Sequence, residues 1–354
     1  MPPGVARLRI WIVITIVATV VACGVGAWTV AGRSPRLVAG PDAAIAARTR
    51  TPAAASPRPS AARPSPARPS PALLSPGPVI TVTGAPGGVK AKGAVLADAA
   101  TGQVLWGRNV DTMRPMASVT KVMTALLVLQ SGDLDREIRI PKAAVSYAWK
   151  YGGETAALYP RDVLTAAELL PALLLASGAD AAYTLANAYG PGLTAFVARM
   201  NATAARMGMT HTQFTSPDGL PYPTETSTHS TPDDLLTLGL AAMRYPAFRS
   251  VVDLEFYHLP KGRGHHQYWW DNTDDLIGSY PGAAGIKDGY TDDAGHCLLF
   301  EAVRGGRALI GVVLDSPAAG PAAGAQDAEQ MLNWGFRLPY GATGSPASQA
   351  APRA

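Results

Sequence analysis

Hydrophobic positions along this chain change their spacing three times. Residues 10–31 form a run of 22 positions without a charge. Alternation typical of strands covers residues 92–106, and its interruption at Ala100-Thr101-Gly102 predicts a β-hairpin. Helical spacing dominates the middle of the chain, and strand-like alternation returns towards the C-terminus.

These patterns predict two kinds of element in separate blocks. Helical spacing covers residues 118–130, 166–176, 179–188, 193–207 and 232–243. Strand-like spacing covers residues 255–259, 285–290, 296–303 and 307–314. Strands, then helices, then strands predict an α+β domain in which an antiparallel sheet contains both ends of the folded segment.

The first apolar run is long enough to cross a bilayer as a helix, which needs roughly 20 residues. Arg7 and Arg9 precede it and no clear small-x-small cleavage site follows. These features favour an uncleaved signal anchor that comprises residues 1–32. A cleaved secretory signal and a lipoprotein processed at Cys23 are the competing interpretations. Because all three export the rest of the chain, we expect a single-pass protein of the cytoplasmic membrane, or a secreted or lipid-anchored form.

Residues 33–78 consist almost entirely of Ala, Pro, Ser and Arg, a composition that cannot bury an apolar core. We expect a disordered linker there, a folded domain over residues 79–340, and a disordered tail over residues 341–354. Nine arginines and one acid give the first 78 residues a net charge of +8, against +4 for the whole chain. The folded part is therefore mildly acidic, which argues against a nucleic-acid partner.

Neither cysteines nor histidines form a recognisable framework. The two cysteines lie in the apolar run and in a predicted strand, as Cys23 and Cys297. The six histidines are scattered and include no His-Glu-x-x-His pattern, which argues against a metallopeptidase.

The most informative short motif is Ser118-Val119-Thr120-Lys121, at the start of a predicted helix. Residues three apart share one helix face, so the Ser118 hydroxyl and the Lys121 amine can meet. A serine becomes a strong nucleophile when a neighbouring base takes its proton, and a lysine acts as that base when burial lowers its pKa. The pair therefore suits acyl transfer, although a surface serine beside a solvated lysine is the commoner explanation of the motif alone.

Two further motifs follow in order, Ser177-Gly178-Ala179-Asp180 and Lys287-Asp288-Gly289-Tyr290. With the first motif they resemble the Ser-x-x-Lys, Ser-x-Asn and Lys-Thr-Gly motifs of the serine D-alanyl-D-alanine carboxypeptidases, which are low-molecular-mass penicillin-binding proteins. The resemblance runs from about residue 79 to residue 338 and is carried also by residues 94–107, 114–129, 196–220 and 230–234.

The resemblance implies a β-lactamase/DD-peptidase-like fold, with the active site between an antiparallel sheet and a mostly helical subdomain. It implies that Ser118 attacks the terminal D-Ala-D-Ala bond of a peptidoglycan stem peptide, that Lys121 is the general base and that Ser177 relays a proton to the leaving amine. Lys287, Asp288, Gly289 and Tyr290 would bind substrate, with the oxyanion held by the backbone N–H groups of Ser118 and Tyr290. β-Lactams would be covalent inhibitors, and the family needs no metal or organic cofactor.

Two positions depart from the family motifs. Ala179 stands where the second motif usually has asparagine, and Asp180 would point about 100° away around a helix. Asp288 stands where the third motif usually has a hydroxyl, and a carboxylate there would repel the substrate's own carboxylate by about 4 kcal/mol at 4 Å and an effective dielectric of 20. Protonation of Asp288, a bridging cation, or a side chain on the other face of the strand would each relieve the repulsion.

Two functions remain open at this point. One is an active, membrane-tethered serine D,D-carboxypeptidase, and the other is a degenerate domain that binds peptidoglycan or a partner with little turnover. For Ser177, a helix N-cap is the structural alternative to a catalytic role. A class A β-lactamase is disfavoured because no Glu-x-x-x-Asn segment lies between the second and third motifs.

Overall fold

The computed structural model of the protein describes residues 84–224, 226–317, 320 and 322–339. The predicted anchor, linker and C-terminal tail lie outside these residues. Within the described ranges, no helix combines the length and the apolar character needed to span a bilayer.

The centre of the fold is a five-stranded antiparallel sheet with the strand order β2-β1-β11-β10-β9. Its strands are β1 (Gly93–Asp98), β2 (Val104–Arg108), β9 (Ala283–Thr291), β10 (Gly295–Arg304) and β11 (Arg307–Ser316). β1 pairs with β11 from Gly93 opposite Leu314 to Asp98 opposite Leu309, so the two ends of the domain meet in the middle of the sheet. β9, which carries the third motif, forms one edge of the sheet.

Both faces of this sheet are covered by helices. Helix α8 (Ala323–Gly335) packs on the face that carries Leu96 and Phe300, while the opposite face carries Leu299 and Ile310 and packs against the helical subdomain. Burial on both faces explains the nearly continuous apolar runs of β10 and β11, since alternation appears only where one face meets solvent.

The helical subdomain follows the first hairpin in the chain. Its helices are α1 (Lys121–Ser131), α2 (Lys142–Lys150), α3 (Ala166–Leu174), α4 (Ala179–Tyr189), α5 (Leu193–Arg206), α6 (Pro232–Ala242) and α7 (Pro246–Val252). Three small strand pairs join the segments between them: β3 (Arg114–Pro115) with β6 (His229–Ser230), β4 (Glu137–Arg139) with β5 (Val163–Thr165), and β7 (Phe256–Leu259) with β8 (Tyr268–Asp271).

The sequence places its helices correctly where local signals mark their ends. Thr165 and Glu168 form a capping box at the start of α3, with the Glu168 carboxylate 2.7 Å from the Thr165 backbone nitrogen. Thr231 caps α6 and is followed by a proline at the first helical position. The α+β prediction is confirmed, and the five predicted helices and four predicted strands are present with ends shifted by a few residues.

Gly311 gives a direct test of packing in the central sheet. A Cβ atom there would lie 2.4 Å from Phe300 Cζ and 2.7 Å from the Val95 carbonyl oxygen. We expect Gly311→Ala to lower the free energy of unfolding by about 1–3 kcal/mol, the usual cost of overpacking a core. Gly87 is the matched control, because a Cβ there meets nothing within 4 Å. Equal midpoints of chemical denaturation for the two variants would contradict this account of the sheet.

Candidate active site

The predicted nucleophile lies on a tight turn rather than on a regular α-helix. Ser118 belongs to a 3₁₀ turn, Ala117–Thr120, and α1 begins only at Lys121. In a 3₁₀ turn residues i and i+3 are eclipsed, which places Ser118 directly beside Lys121. Ala117 precedes the serine with a φ of +46°, a left-handed conformation that costs a non-glycine residue roughly 1–2 kcal/mol. Strain of this kind is concentrated at functional sites.

The Lys121 amine is the centre of the site. Its Nζ lies 2.7 Å from Ser118 Oγ, 3.4 Å from Ser177 Oγ and 3.1 Å from the backbone carbonyl oxygen of Asp218. Only 1% of the residue is exposed. The structure therefore brings the serine and lysine of the first motif together with the serine of the second.

Burial is the main reason why the pKa of Lys121 falls from 10.5 to about 8. The charge of Asp218 opposes this change, and the positive charge of Lys287 adds to it. With a pKa of about 8, about a tenth of the lysine is neutral at pH 7, against less than about a thousandth at a pKa of 10.5. A neutral amine can accept the Ser118 proton.

Ser177 lies in the turn between α3 and α4 and has a φ of +54°. The N-cap of α4 is Gly178, and no side chain caps this helix, so the N-cap interpretation of Ser177 is wrong. The serine is 3% exposed, and the turn aims its hydroxyl at Lys121.

The second motif has no asparagine, and the surrounding chain closes over that position. Ala179 is fully buried, and a Cβ at Gly153 would lie only 2.9 Å from the Ala179 Cβ. Asp180 does not replace the missing amide, as the sequence predicts: its carboxylate accepts hydrogen bonds from the Thr155 hydroxyl and from the backbone N–H groups of Ala156, Leu158 and Ala181. Asp180 thus fixes the loop after α2 against the start of α4.

The segment from Ser216 to Gly219 supplies contacts that sequence reasoning did not assign. The Asp218 carbonyl accepts from Lys121, and the Pro217 carbonyl accepts from the Thr124 hydroxyl at 2.6 Å. Gly219 has a φ of +83°, and a Cβ there would overlap the Ala117 carbonyl oxygen at 1.9 Å. The Ser-Pro-Asp-Gly sequence signals a turn, but only the fold shows that this turn supports both the lysine and the serine turn.

The third motif lies on edge strand β9, and its first two side chains meet each other. Lys287 Nζ contacts Asp288 Oδ1, and the Thr273 hydroxyl donates to the same oxygen at 2.7 Å. Burial alone would raise the pKa of Asp288, but the charge of Lys287 and these hydrogen bonds hold the pKa below its ordinary value. Protonation of Asp288 and a side chain turned to the other face are not what the structure shows, because the Lys287 charge favours the ionised carboxyl and Asp288 lines the cleft. Lys287 contacts Asp288 from the buried side and does not bridge it to a ligand in the cleft.

Gly289 lets β9 pass directly over the serine turn. A Cβ at Gly289 would lie 2.7 Å from the backbone nitrogen of Ser118 and 3.1 Å from the Ala117 Cβ. Tyr290 follows on the strand, half exposed, with its hydroxyl 3.2 Å from Asp292. The close approach brings the strand that carries Tyr290 against the backbone nitrogen of Ser118.

These elements enclose a cleft of about 310 Å³. It is lined by Ser118, Lys121, Tyr151, Gly152, Gly153, Glu154, Ser177, Gly219, Leu220, Pro221, Asp288, Gly289, Tyr290, Thr291 and Asp292. All the predicted site residues lie here except Lys287, which is 1% exposed and lies behind the wall of the cleft. In the described part of the chain, no three or more His, Cys, Asp or Glu side chains are grouped so as to hold a metal ion.

Comparison with known proteins agrees with this geometry. Residues 80–318 match the D-alanyl-D-alanine carboxypeptidase family of S11 peptidases, which covers about two thirds of the chain. The chain belongs to this family of serine peptidases. The resemblance predicted from the three motifs is thereby confirmed.

Individual relatives cover nearly the same segment. A D-alanyl-D-alanine carboxypeptidase of Streptomyces sp. is 36% identical over 262 residues, 71% of this chain and 88% of the relative. One of Mycobacterium tuberculosis is 37% identical over 257 residues, 71% of this chain and 84% of the relative. The crystal structure of a Streptomyces DD-transpeptidase has a TM-score of 0.66 at 36% identity and covers 71% of this chain and 98% of its own. The likeness to this crystal structure confirms the predicted DD-peptidase fold of this S11 peptidase.

The lowered pKa of Lys121 predicts how acylation depends on pH. Because the base must be neutral, the second-order rate constant for acylation by a penicillin should rise about tenfold per pH unit below about pH 7, reach half its maximum near pH 8 and level off above about pH 9. Stopped-flow or intact-mass kinetics between pH 5.5 and 9.5 measure this profile.

Two Glu→Gln variants test whether the midpoint of the pH profile reports the ionisation of Lys121 or an effect of pH on the whole protein. The negative charge of Glu154 raises the pKa of Lys121, so Glu154→Gln should move the midpoint to lower pH by less than one unit. Glu137→Gln, an exposed change on β4, should leave the midpoint where it is. A midpoint near 10.5 in the unmodified protein, or equal shifts in both variants, would contradict the assignment.

The close approach of Gly289 to Ser118 predicts that a larger side chain at position 289 slows acylation. Gly289→Ala should push β9 away from the serine turn and lower the acylation rate 100-fold or more, as loss of an oxyanion donor does. Tyr290→Phe should acylate nearly normally, since only the backbone N–H of Tyr290 is given a role. Normal acylation by folded Gly289→Ala would show that this strand does not form the oxyanion hole.

Proposed function

We propose that this chain is a membrane-tethered serine D,D-carboxypeptidase that removes the terminal D-alanine from peptidoglycan stem peptides. The observation that carries the proposal is the buried Lys121 amine 2.7 Å from the Ser118 hydroxyl, with a pKa lowered to about 8. The names of its relatives support the choice of substrate, and the apolar run of residues 10–31 supports the tether.

In the proposed reaction, Ser118 Oγ attacks the carbonyl carbon of the penultimate D-alanine while its proton passes to Lys121 Nζ. The backbone N–H groups of Ser118 and Tyr290 stabilise the oxyanion. As the C–N bond breaks, Ser177 passes a proton from Lys121 to the leaving amine, a role supported by the 3.4 Å distance between Ser177 Oγ and Lys121 Nζ. Water then hydrolyses the acyl-enzyme, and Ser118 is regenerated.

Lys287 has an electrostatic role in this proposal. Its positive charge favours the neutral form of Lys121. The geometry does not support the expectation that Lys287 itself binds substrate, because its ammonium is buried against Asp288 and Thr273.

A transpeptidase differs from a carboxypeptidase only in the group that attacks the acyl-enzyme, an amine instead of water. The Streptomyces structural relative is called a DD-transpeptidase, so both outcomes start from the same proposed intermediate. Product analysis with and without an added amine acceptor distinguishes them.

The direct test of the proposal is a covalent adduct on Ser118. We expect the folded protein, incubated with excess fluorescent penicillin, to gain one penicilloyl group by intact mass and to hydrolyse an N-acylated peptide ending in D-Ala-D-Ala or its amide. Ser118→Ala should lose both activities, while Ser250→Ala on α7 should keep both. If well-folded protein forms no adduct and turns over neither peptide, the proposal fails and a peptidoglycan-binding domain without turnover becomes the better description.

A further inference from the structure

The third motif presents an acceptor to the cleft where the family resemblance implies a hydroxyl donor. Asp288 lines the cleft and its side chain is 35% exposed. Lys287, the neighbouring cation, is 1% exposed and does not reach the cleft surface. A ligand that arrives at this wall therefore meets the carboxylate first.

The charge of Lys287 is already balanced inside the protein. Its Nζ contacts Asp288 Oδ1 and lies 3.3 Å from the Thr273 hydroxyl oxygen. Burial raises the pKa of the neighbouring Asp274 to about 7, so that carboxyl is only partly ionised at neutral pH. Asp288 alone thus balances the ammonium, which leaves no net positive charge there for an anionic ligand.

Asp288 can accept hydrogen bonds from a ligand but cannot donate them. The Lys287 charge keeps its carboxyl ionised, with the pKa below the ordinary value. An ionised carboxylate has about four lone-pair positions and no proton to offer. Lys287 and Thr273 both bind Oδ1, so neither of them occupies Oδ2.

Two further acidic side chains line the cleft and add to the negative charge of Asp288. Asp292 lies four residues further along the chain, and Glu154 lies on the loop after α2. Among the described residues that line the cleft, Lys121 is the one basic side chain, and it is engaged with the two serines. A free carboxylate on a substrate therefore finds repulsion here rather than a partner.

We propose that the leaving-group side of this cleft selects a carboxamide in place of the free C-terminal carboxylate, with the amide N–H₂ donating to Asp288. This inference rests on the proposed function and refines its substrate. In the reaction, Ser118 forms the same ester, the same C–N bond breaks, and the leaving molecule is D-alaninamide, whose amine carries away the proton. Water restores the serine as before.

Two matched substrates test the proposal on the unmodified protein. One is an N-acylated tripeptide that ends in D-Ala-D-Ala, and the other is the same peptide with a terminal carboxamide. We expect kcat/KM to be about 10- to 100-fold higher for the amide, the range that one hydrogen bond to a charged group supplies. Equal values, or a preference for the free acid, would overturn the proposal.

Variants at Asp288 assign the preference to this residue. Asp288→Thr should invert it in favour of the acid, and Asp288→Asn should largely remove it. Asp135→Asn, which makes the same charge change at an exposed residue outside the cleft, should keep the preference of the unmodified protein. An amide preference that survives in folded Asp288→Thr would contradict the proposal. Thermal unfolding of this variant shows whether the protein stays folded when the buried Lys287 has lost its partner.

Penicillins supply an independent measurement because they carry a carboxylate. Asp288→Thr should be acylated about tenfold or more faster than the unmodified protein. Ser118-dependent turnover with a preference for the acid would overturn this inference alone. Failure to hydrolyse either peptide, together with no Ser118 adduct, would overturn the proposed function as well.

Discussion

The burial of one amine beside one hydroxyl is the constraint around which the site is built. Lys121 is nearly inaccessible, and its Nζ is surrounded by Ser118, Ser177 and the Asp218 carbonyl. A charged lysine in such a place is costly, and the chain reduces that cost by favouring the neutral form, which is the form a general base requires. The surrounding turns are irregular because each must bring one polar group to this amine.

The fold explains how the site tolerates an alanine in its second motif. Lys121 is held by a backbone carbonyl and two hydroxyls, so no asparagine amide is needed to position it. Gly153 packs against Ala179, and Asp180 ties the neighbouring loop to α4 through three hydrogen bonds. The Asp288 departure is different in kind, because it changes the charge that a substrate meets while leaving the nucleophile and base intact.

Local signals in the sequence were sufficient for the first motif, the capped helices and the long strands. They failed for α2, which buries only Ala144 and Ala148, for α7, which has only seven residues, and for α8, whose buried positions are largely alanine and glycine. Such helices show little hydrophobic periodicity, so pattern analysis passes over them.

In the site too, the sequence predicted the contact that depends on local spacing and missed others. Spacing placed Ser118 beside Lys121. The contact between Lys121 and the backbone carbonyl of Asp218 joins residues 97 positions apart, and no local pattern predicts it. Strand alternation would set Lys287 and Asp288 on opposite faces, yet the Lys287 ammonium contacts the Asp288 carboxylate. Contacts of these two kinds arise from tertiary structure and leave no periodic trace.

The most direct test of the account is the ionisation of Lys121 itself. NMR of protein labelled with ¹³C at lysine Cε, with the signal assigned by its absence in Lys121→Met, follows the titration of this one amine. The account predicts a midpoint near pH 8. A midpoint near 10.5 would mean that Lys121 stays charged at neutral pH and is not the base that activates Ser118.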